Sequence, residues 1–521
     1  MRMKKSNKLI VYLIILNLFC AGLISCSGNQ SVPDKPAVGE SYEAGDFKLI
    51  LIEAGILGVS SPEPKEEPLI IGPEQETTEE EPLTEYNNPV LPPDEELVHK
   101  YFIAPNNNPA VLTTEALLYD FDYLTRVLEE NYPFYGAAHR KFGIDLHRQK
   151  AAARAAVENI SATGNDSRIL RDFADILASY IINPMRNMGH MMGYRVGSQS
   201  HKVQLALIKR DGGYEIPSYP NLYGGYLHDM FTSPAAVRYY GDPFDGVDIE
   251  SFIESALFTP DPDNIVCDII QPDSVAYIQI RGMNSANFTS DRQIISAFIE
   301  TIGDFDHLII DLRGNRGGYA GNFLQNIMAP LIDEPASLLY YIFFKGGEHN
   351  LMFDDFYYRD LQWQSAHGLR GFLDADTPLL SVNDIFPSLI HANADDFADL
   401  SYGFKRELTV TPSANRRAFD GKIWILIDGR SISAAEISAA LAKESGFATL
   451  VGTPTGGMFG GYTAAFIGLP NTGAIIRYDY GYVTDLHGRS IEELGVAPDI
   501  YNRSGMDALE TVLALISEGN Y

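Results

Sequence analysis

Apolar residues recur at helical spacing at Leu117, Phe121, Leu124, Val127 and Leu128, and Asn131-Tyr132-Pro133 follows. This pattern predicts a helix over about 115–130 that stops before the proline. Two more helices are expected around 149–159 and 169–182, so 110–198 reads as a helical segment. From 199 to 265 Tyr, Gly and Pro are frequent and the segment reads as an irregular insertion, with one strand expected at 203–208. The period then changes. Short runs of β-formers at 275–280, 307–312, 422–427 and 449–451 alternate with helical stretches at 291–302, 320–331 and 434–443. That alternation predicts an α/β core over 266–521 with parallel strand pairs, in which ligand sites lie beyond the carboxyl ends of strands. The segment 340–417, with its Phe, Tyr, Trp and Asp clusters, is expected to be an insertion forming a lid or a specificity wall.

The first residues follow a different pattern. Arg2, Lys4, Lys5 and Lys8 precede an apolar run from Leu9 to Leu23, too short to span a bilayer, which reads as a secretory signal. Leu23-Ile24-Ser25-Cys26 resembles a bacterial lipobox, which implies lipidation at Cys26 and a lipid-anchored place in the cell envelope, at the outer membrane, in the periplasm or on the cell surface. From Ser27 to Lys100 there are seventeen acidic residues against four lysines, and ten of the 29 prolines. Such a stretch, taken as 27–105, buries too little apolar surface to fold and reads as a self-repelling tether.

Composition narrows the classes of function. The 521 residues carry 39 Lys and Arg against 69 Asp and Glu, a net charge of −30. This is the wrong sign for wrapping a phosphate backbone, so no nucleic-acid partner is expected. Of three cysteines only Cys267 lies beyond the first thirty residues, which excludes a disulfide framework or a cysteine zinc cage in the folded part.

Two strand ends carry chemistry. After 307–312 comes Asp311-Leu312-Arg313-Gly314-Asn315-Arg316-Gly317-Gly318, a glycine-bearing turn that can aim backbone N–H groups at an anion. It has neither the Gly-Lys-Ser/Thr of a P-loop nor a G-x-G-x-x-G pattern. Its plain alternative is a tight turn, with Asp311 and Arg313 forming a buried ion pair that shapes it. After 422–427 comes Asp428-Gly429-Arg430-Ser431-Ile432-Ser433-Ala434-Ala435-Glu436. Ser433 and Glu436 have capping-box spacing, yet a serine at a helix N-terminus can also be a nucleophile served by the next amide, that of Ala434. Ser431 competes for that role.

These two motifs, with Val451-Gly452-Thr453-Pro454-Thr455-Gly456-Gly457 and Gly495-Val496-Ala497-Pro498-Asp499 in the same order, resemble the tail-specific (C-terminal-processing) serine peptidases. The resemblance spans about 275–500. It implies a crotonase-like β/α core (ClpP/crotonase type) with an N-terminal helical cap; no clear PDZ signature is present. It puts the nucleophile on Ser433 and the oxyanion donors on the amides of Gly318 and Ala434. The usual general-base lysine is replaced by Met458, whose thioether cannot take the serine proton, and Lys443 lies about three turns along the helix. The tricorn-like and retinoid-binding-protein-like branch lacks that lysine and uses histidine and glutamate. Asn187-Met188-Gly189-His190-Met191 and Glu492-Glu493-Leu494-Gly495-Val496 resemble its two turns. The match makes His190 the base and Glu492 its orienting partner, with Glu493 as the alternative; Gly189 stands where that branch has a serine. The expected activity is hydrolysis of an extended polypeptide through an acyl-enzyme, with no metal or cofactor. Two rivals are a catalytically silent member that binds peptide or apolar ligand in the same cleft, and an acyl-CoA enzyme on the same scaffold.

Overall fold

The apolar face foreseen near the start of the helical segment is buried in α1 (Thr114–Asn131), where Leu117, Phe121, Leu124, Val127 and Leu128 all point inward. Thr113 caps it by accepting the Ala116 amide, and Tyr132-Pro133 ends it. Three helices follow: α2 (Tyr135–Phe142), α3 (Leu146–Glu158) and α4 (Asp166–Leu177). The helix expected over 169–182 is thus interrupted. Its last part is a π-turn, Ala178–Ile182, a local unwinding that favours re-aiming of the chain. The chain then reaches the short strand β1 (Met192–Gly193), and later α5 (Pro234–Tyr240).

The structure is a computed structural model that describes residues 100–101, 107, 109–162, 166–185, 188–193, 229–241, 260–352, 380–417, 419–460 and 464–519. All of these belong to one compact unit of the chain. The expected signal with Cys26, nearly all of the tether, Asn187 and the strand at 203–208 lie outside the described residues.

The core alternates as its sequence does. Strands β2 (Ile265–Gln271), β3 (Val275–Ile280) and β4 (His307–Asp311) flank helix α6 (Phe288–Thr301). Next come β5 (Ala336–Phe344), β6 (Leu380–Ser381), β7 (Tyr402–Val410), β8 (Lys422–Ile427), helix α7 (Ala434–Glu444) and β9 (Thr449–Gly452). The chain closes with β10 (Ala464–Gly468), β11 (Ile475–Asp479), β12 (Tyr482–Thr484), α8 (Ile491–Leu494), β13 (Ile500–Tyr501) and α9 (Ala508–Glu518).

Six strands form the central sheet in the order β13-β9-β8-β4-β3-β2, parallel except for the β2–β3 hairpin. Alternation decides what each face meets. Val275, Ile309, Trp424 and Leu426 pack with Val512 and Leu515 of α9, while Ala276, Ile278, Leu308, Ile310, Ile423 and Ile425 join the larger core with Ile295 of α6 and Leu441 of α7. Both faces are therefore covered, as parallel sheets require.

Of the segment 340–417, expected to form a lid or specificity wall, residues 353–379 lie outside the described residues, and the described part is strand-bearing. β5 already spans its start, and β5, β6 and β7 join β12 in a four-stranded antiparallel sheet, order β12-β5-β7-β6, whose Tyr340, Ile342, Phe343 and Phe404 are buried. Apolar alternation along β5 and β7 has two faces to satisfy, and pairing satisfies the backbone at the same time. A third sheet, β1-β11-β10, ties the end of the helical segment to the last third of the chain. Among the described residues no helix is long and apolar enough to cross a membrane.

Candidate active site

The nucleophile candidate sits where β8 turns into α7. Ser433 is the residue before the helix, yet its side chain makes no capping bond, and Glu436 does not return to it. Instead Ser433 adopts φ 60°, ψ −121°, a conformation costly for a residue with a Cβ and often kept at functional turns. The capping-box alternative is thereby corrected. Glu436 is buried and accepts from Thr455 Oγ1 (2.6 Å), Gly457 N (2.9 Å) and Val496 N (2.9 Å), fixing the loop after β9. Burial pushes its carboxyl up to about 8, against those donors. The strained serine is held by its own amide, which donates to Gly457 O at 3.1 Å.

Ser431 is a structural serine. It is fully buried, donates to Leu312 O at 2.8 Å and accepts the Asp428 amide at 3.1 Å, which stitches the ends of β4 and β8 together. The Asp311–Arg313 pair also shapes the neighbouring turn: Arg313 donates to the buried Asp311 at 2.7 and 3.0 Å and reaches Asp507. Asn315 accepts the Gly317 amide and donates to Ile280 O. Met283 then clamps the turn from outside, donating to Gly317 O and accepting from Tyr319 N. Gly317 lies so close to the nucleophile that a Cβ there would sit 2.6 Å from both Ala434 N and Ser433 Cβ. Among the described residues neither the Gly318 nor the Ala434 amide donates a hydrogen bond. Ala434 follows Ser433 in the chain, and Gly318 follows the Gly317 that packs on it, so both amides belong to the segments that meet at the nucleophile.

His190 arrives from the other side of the chain. Its Nε2 lies 3.1 Å from Ser433 Oγ, although 243 positions separate the two residues. The turn that carries it is strained, with φ 56° at Gly189 and 43° at His190. Tyr132 at the end of α1 donates to Met188 O at 2.8 Å, and the Phe134 ring lies where a Gly189 Cβ would be, at 2.6 Å. The absence of a serine at 189 thus has a local reason, since no side chain fits there.

The orienting partner is a correction. The Nδ1 of His190 faces Asp479 Oδ2 at 2.6 Å, not Glu492. Asp479 ends β11, which pairs with β1 in the register Met192↔Arg477, and its amide donates to Gly189 O at 2.7 Å, so strand pairing sets the carboxylate against the ring. Burial opposes ionisation of Asp479, but His190 and Arg477, 3.5 Å from Oδ1, outweigh it and hold the carboxyl below its ordinary value. Glu492 lies behind the ring. Its Oε2 accepts from Met458 N (2.9 Å) and Gly189 N (3.4 Å), and burial raises its carboxyl above the usual range. Glu493 faces away, bound to Arg140 at 2.6–3.0 Å, and Lys443 is engaged with Asp499 and Ala497 O. Met458, also at positive φ, is buried beside Glu492.

Sequence reasoning missed Asp479. The signal was present but weak: Ile475-Ile476-Arg477-Tyr478-Asp479 is buried at every position, and two opposite charges in such a strand need a polar purpose. Among the described residues no group of three His, Cys, Asp or Glu side chains could hold a metal ion.

The arrangement of hydroxyl, imidazole, carboxylate and two open amides can activate a serine and receive a developing oxyanion. Comparisons with known proteins bear on the same region. No curated protein matches the chain. Among solved structures, a candidate peptidase from Parabacteroides merdae is 16% identical, with 77% of this chain and 95% of that one covered at TM-score 0.41. Mature CPAF complexed with lactacystin is 14% identical, with 78% and 98% covered at TM-score 0.42. The photosystem II D1 C-terminal processing protease is 14% identical, with 46% and 48% covered at TM-score 0.28. Likenesses at these identities and TM-scores carry no argument about chemistry. Residues 274–502 match the family model of Peptidase family S41, a span that includes Ser433, Asp479 and Glu492 but not His190.

Proposed function

We propose that the chain is a serine peptidase that cleaves polypeptides through Ser433, with His190 as general base and Asp479 orienting it. The observation that carries this reading is the continuous line Ser433 Oγ, His190 Nε2, His190 Nδ1, Asp479 Oδ2 at 3.1 and 2.6 Å. In it, Ser433 Oγ attacks the scissile carbonyl carbon while its proton passes to Nε2. The carbonyl oxygen becomes an oxyanion facing the Gly318 and Ala434 amides, with the positive end of α7 behind it. The C–N bond breaks as the imidazolium returns the proton to the leaving amine, and water deacylates Ser433 by the same route. Asp479 stays ionised and fixes the tautomer with hydrogen on Nδ1. Glu492 supports the loops on either side of the ring.

The crotonase-like description of the core, the tricorn-like use of histidine in place of lysine, and the helical segment as a cap over the cleft belong to this proposal. So do lipidation at Cys26 and action on envelope or extracellular polypeptides.

A fluorophosphonate probe tests the chemistry. Purified protein lacking residues 1–26 is expected to be labelled at Ser433, with label abolished in Ser433→Ala and His190→Ala proteins that keep wild-type circular dichroism. Unlabelled, folded wild type would favour the silent ligand-binding reading. Label surviving His190→Ala would remove histidine as the base.

A further inference from the structure

The loop that holds Ser433 is itself held by a cation from the helical segment. Lys141, in the last turn of α2, donates from Nζ to Gly456 O at 2.8 Å and to Glu492 O at 2.7 Å. These two carbonyls converge from different segments, packed so closely that a Cβ on Gly457 would lie 2.6 Å from Glu492 O. Convergent carbonyl dipoles repel unless a donor or cation sits between them, and an ammonium supplies both. Each segment leads straight to the reacting groups. Gly456 N donates to Ser431 O, Gly457 O accepts the Ser433 amide, and the Glu492 carboxylate holds Met458 N and Gly189 N next to His190.

We infer that Lys141 is a positioning residue for the reaction, tying the Gly456–Met458 loop to the Glu492 turn so that Ser433 stays strained and within reach of His190. The inference rests on the peptidase reading above. Lys141 makes no hydrogen bond to Ser433 or His190, so it is not the missing lysine base in another place; it acts through backbone carbonyls. Its surroundings set its charge. Glu492 and Glu493 of α8 and Glu436 of α7 face it, Arg140 precedes it, and the Phe142 ring lies 5.5 Å away. Burial lowers its pKa from the ordinary lysine value despite those carboxylates. The ammonium therefore loses its proton at lower pH than a surface lysine, and the two carbonyls then lose their cation.

The test is the rate of fluorophosphonate labelling at Ser433 as a function of probe concentration and pH, in the wild type, Lys141→Met and Lys141→Arg. Misplacement of a reacting group costs rate, so Lys141→Met is expected to lower the maximal labelling rate about 10- to 100-fold with half-saturation nearly unchanged. Wild type should show an alkaline fall in rate that Lys141→Arg, whose charge persists, moves to higher pH while restoring much of the rate. If Lys141→Met fails to fold, the shift in Lys141→Arg decides alone. An alkaline limb identical in wild type and Lys141→Arg, or absent from the wild type, overturns the inference, as does Lys141→Met labelling at the wild-type rate. Absence of label from folded wild type overturns the peptidase reading and this inference together.

Discussion

At the scale of single residues, three strained backbones mark the site: Ser433, His190 and Met458 are all non-glycine residues at positive φ. Such conformations persist only when neighbours over-determine them, and here the neighbours are Gly457 O on the Ser433 amide, Tyr132 on Met188 O, and Glu492 on the Met458 amide. Asp479 is the residue on which the proposed chemistry turns most sharply. Asp479→Asn keeps its shape but offers His190 an amide where a carboxylate accepted Nδ1–H, so the wrong tautomer is stabilised. The expected result is a loss in kcat, or in maximal labelling rate, of roughly 1,000-fold or more with the fold retained. Glu492→Gln should cost far less, since its carboxylate touches backbone amides rather than the ring, and parallel labelling of the two variants checks the assignment. Equal losses would return Glu492 to the orienting role.

At the scale of elements, the helical segment is joined to the core by a few deeply buried polar ties. In α1, Asp120 accepts four hydrogen bonds from the turn between β10 and β11: the amides of Asn471 and Thr472 at 2.9 and 2.7 Å, Asn471 Nδ2 at 2.9 Å and Thr472 Oγ1 at 2.7 Å. That turn leads into β11 and hence to Asp479. Asp120→Ala would strand several buried donors at once, with an expected loss of about 3 kcal/mol in urea unfolding. Because α1 also carries Tyr132 at its end, labelling at Ser433 should slow in the same variant. In α2, Arg140 grips both Glu493 and Asp396 while Lys141 grips the carbonyls, so two consecutive side chains dock this helix on α8 and on the segment before β7. The helices α1, α3 and α4 were legible from periodicity because each buries one stripe. The ties were not, because an isolated Asp or Lys on a helix looks the same whether it meets water or a turn hundreds of residues away.

At the scale of the whole molecule, buried carboxyls give stability a definite pH dependence. Burial pushes Asp120 and Asp291 up to about 6 and Glu436 up to about 8, and raises Glu492 as well. A carboxyl whose folded pKa lies above its unfolded value stabilises the fold fully below the unfolded value, and that contribution is lost as pH rises through the folded one. Asp479, Asp428 and Asp507 are held low and act oppositely, losing their contribution only as pH falls below the ordinary Asp range. Between about pH 5 and 8 the raised groups dominate, and self-repulsion at a net charge of −30 runs the same way. The thermal midpoint is expected to fall from pH 5.5 to pH 8.5, and a flat or rising midpoint by scanning calorimetry would refute this.

The sequence by itself determined what depends on neighbours along the chain. Runs of β-formers set the strands β3, β4, β8 and β9 almost to the residue and the helical pattern set α7, whereas the helix expected over 320–331 is broken by a π-turn at Leu324–Met328; glycine-bearing strand ends marked Ser433 and the turn at Gly317-Gly318. His190 stood out only through the resemblance of its turn to the histidine-using branch. The tertiary structure decided which groups meet. His190 and Asp479 are 289 positions apart, brought together by the antiparallel pairing of a two-residue strand with β11. Such a pairing has almost no local signature, since two residues carry no period. It also made a sheet of β5 to β7, and it took Glu492 from the imidazole to the backbone behind it. The physical reason is common to all three: local pattern fixes which face of an element is buried, whereas the partner of a buried charge is chosen by packing over the whole chain.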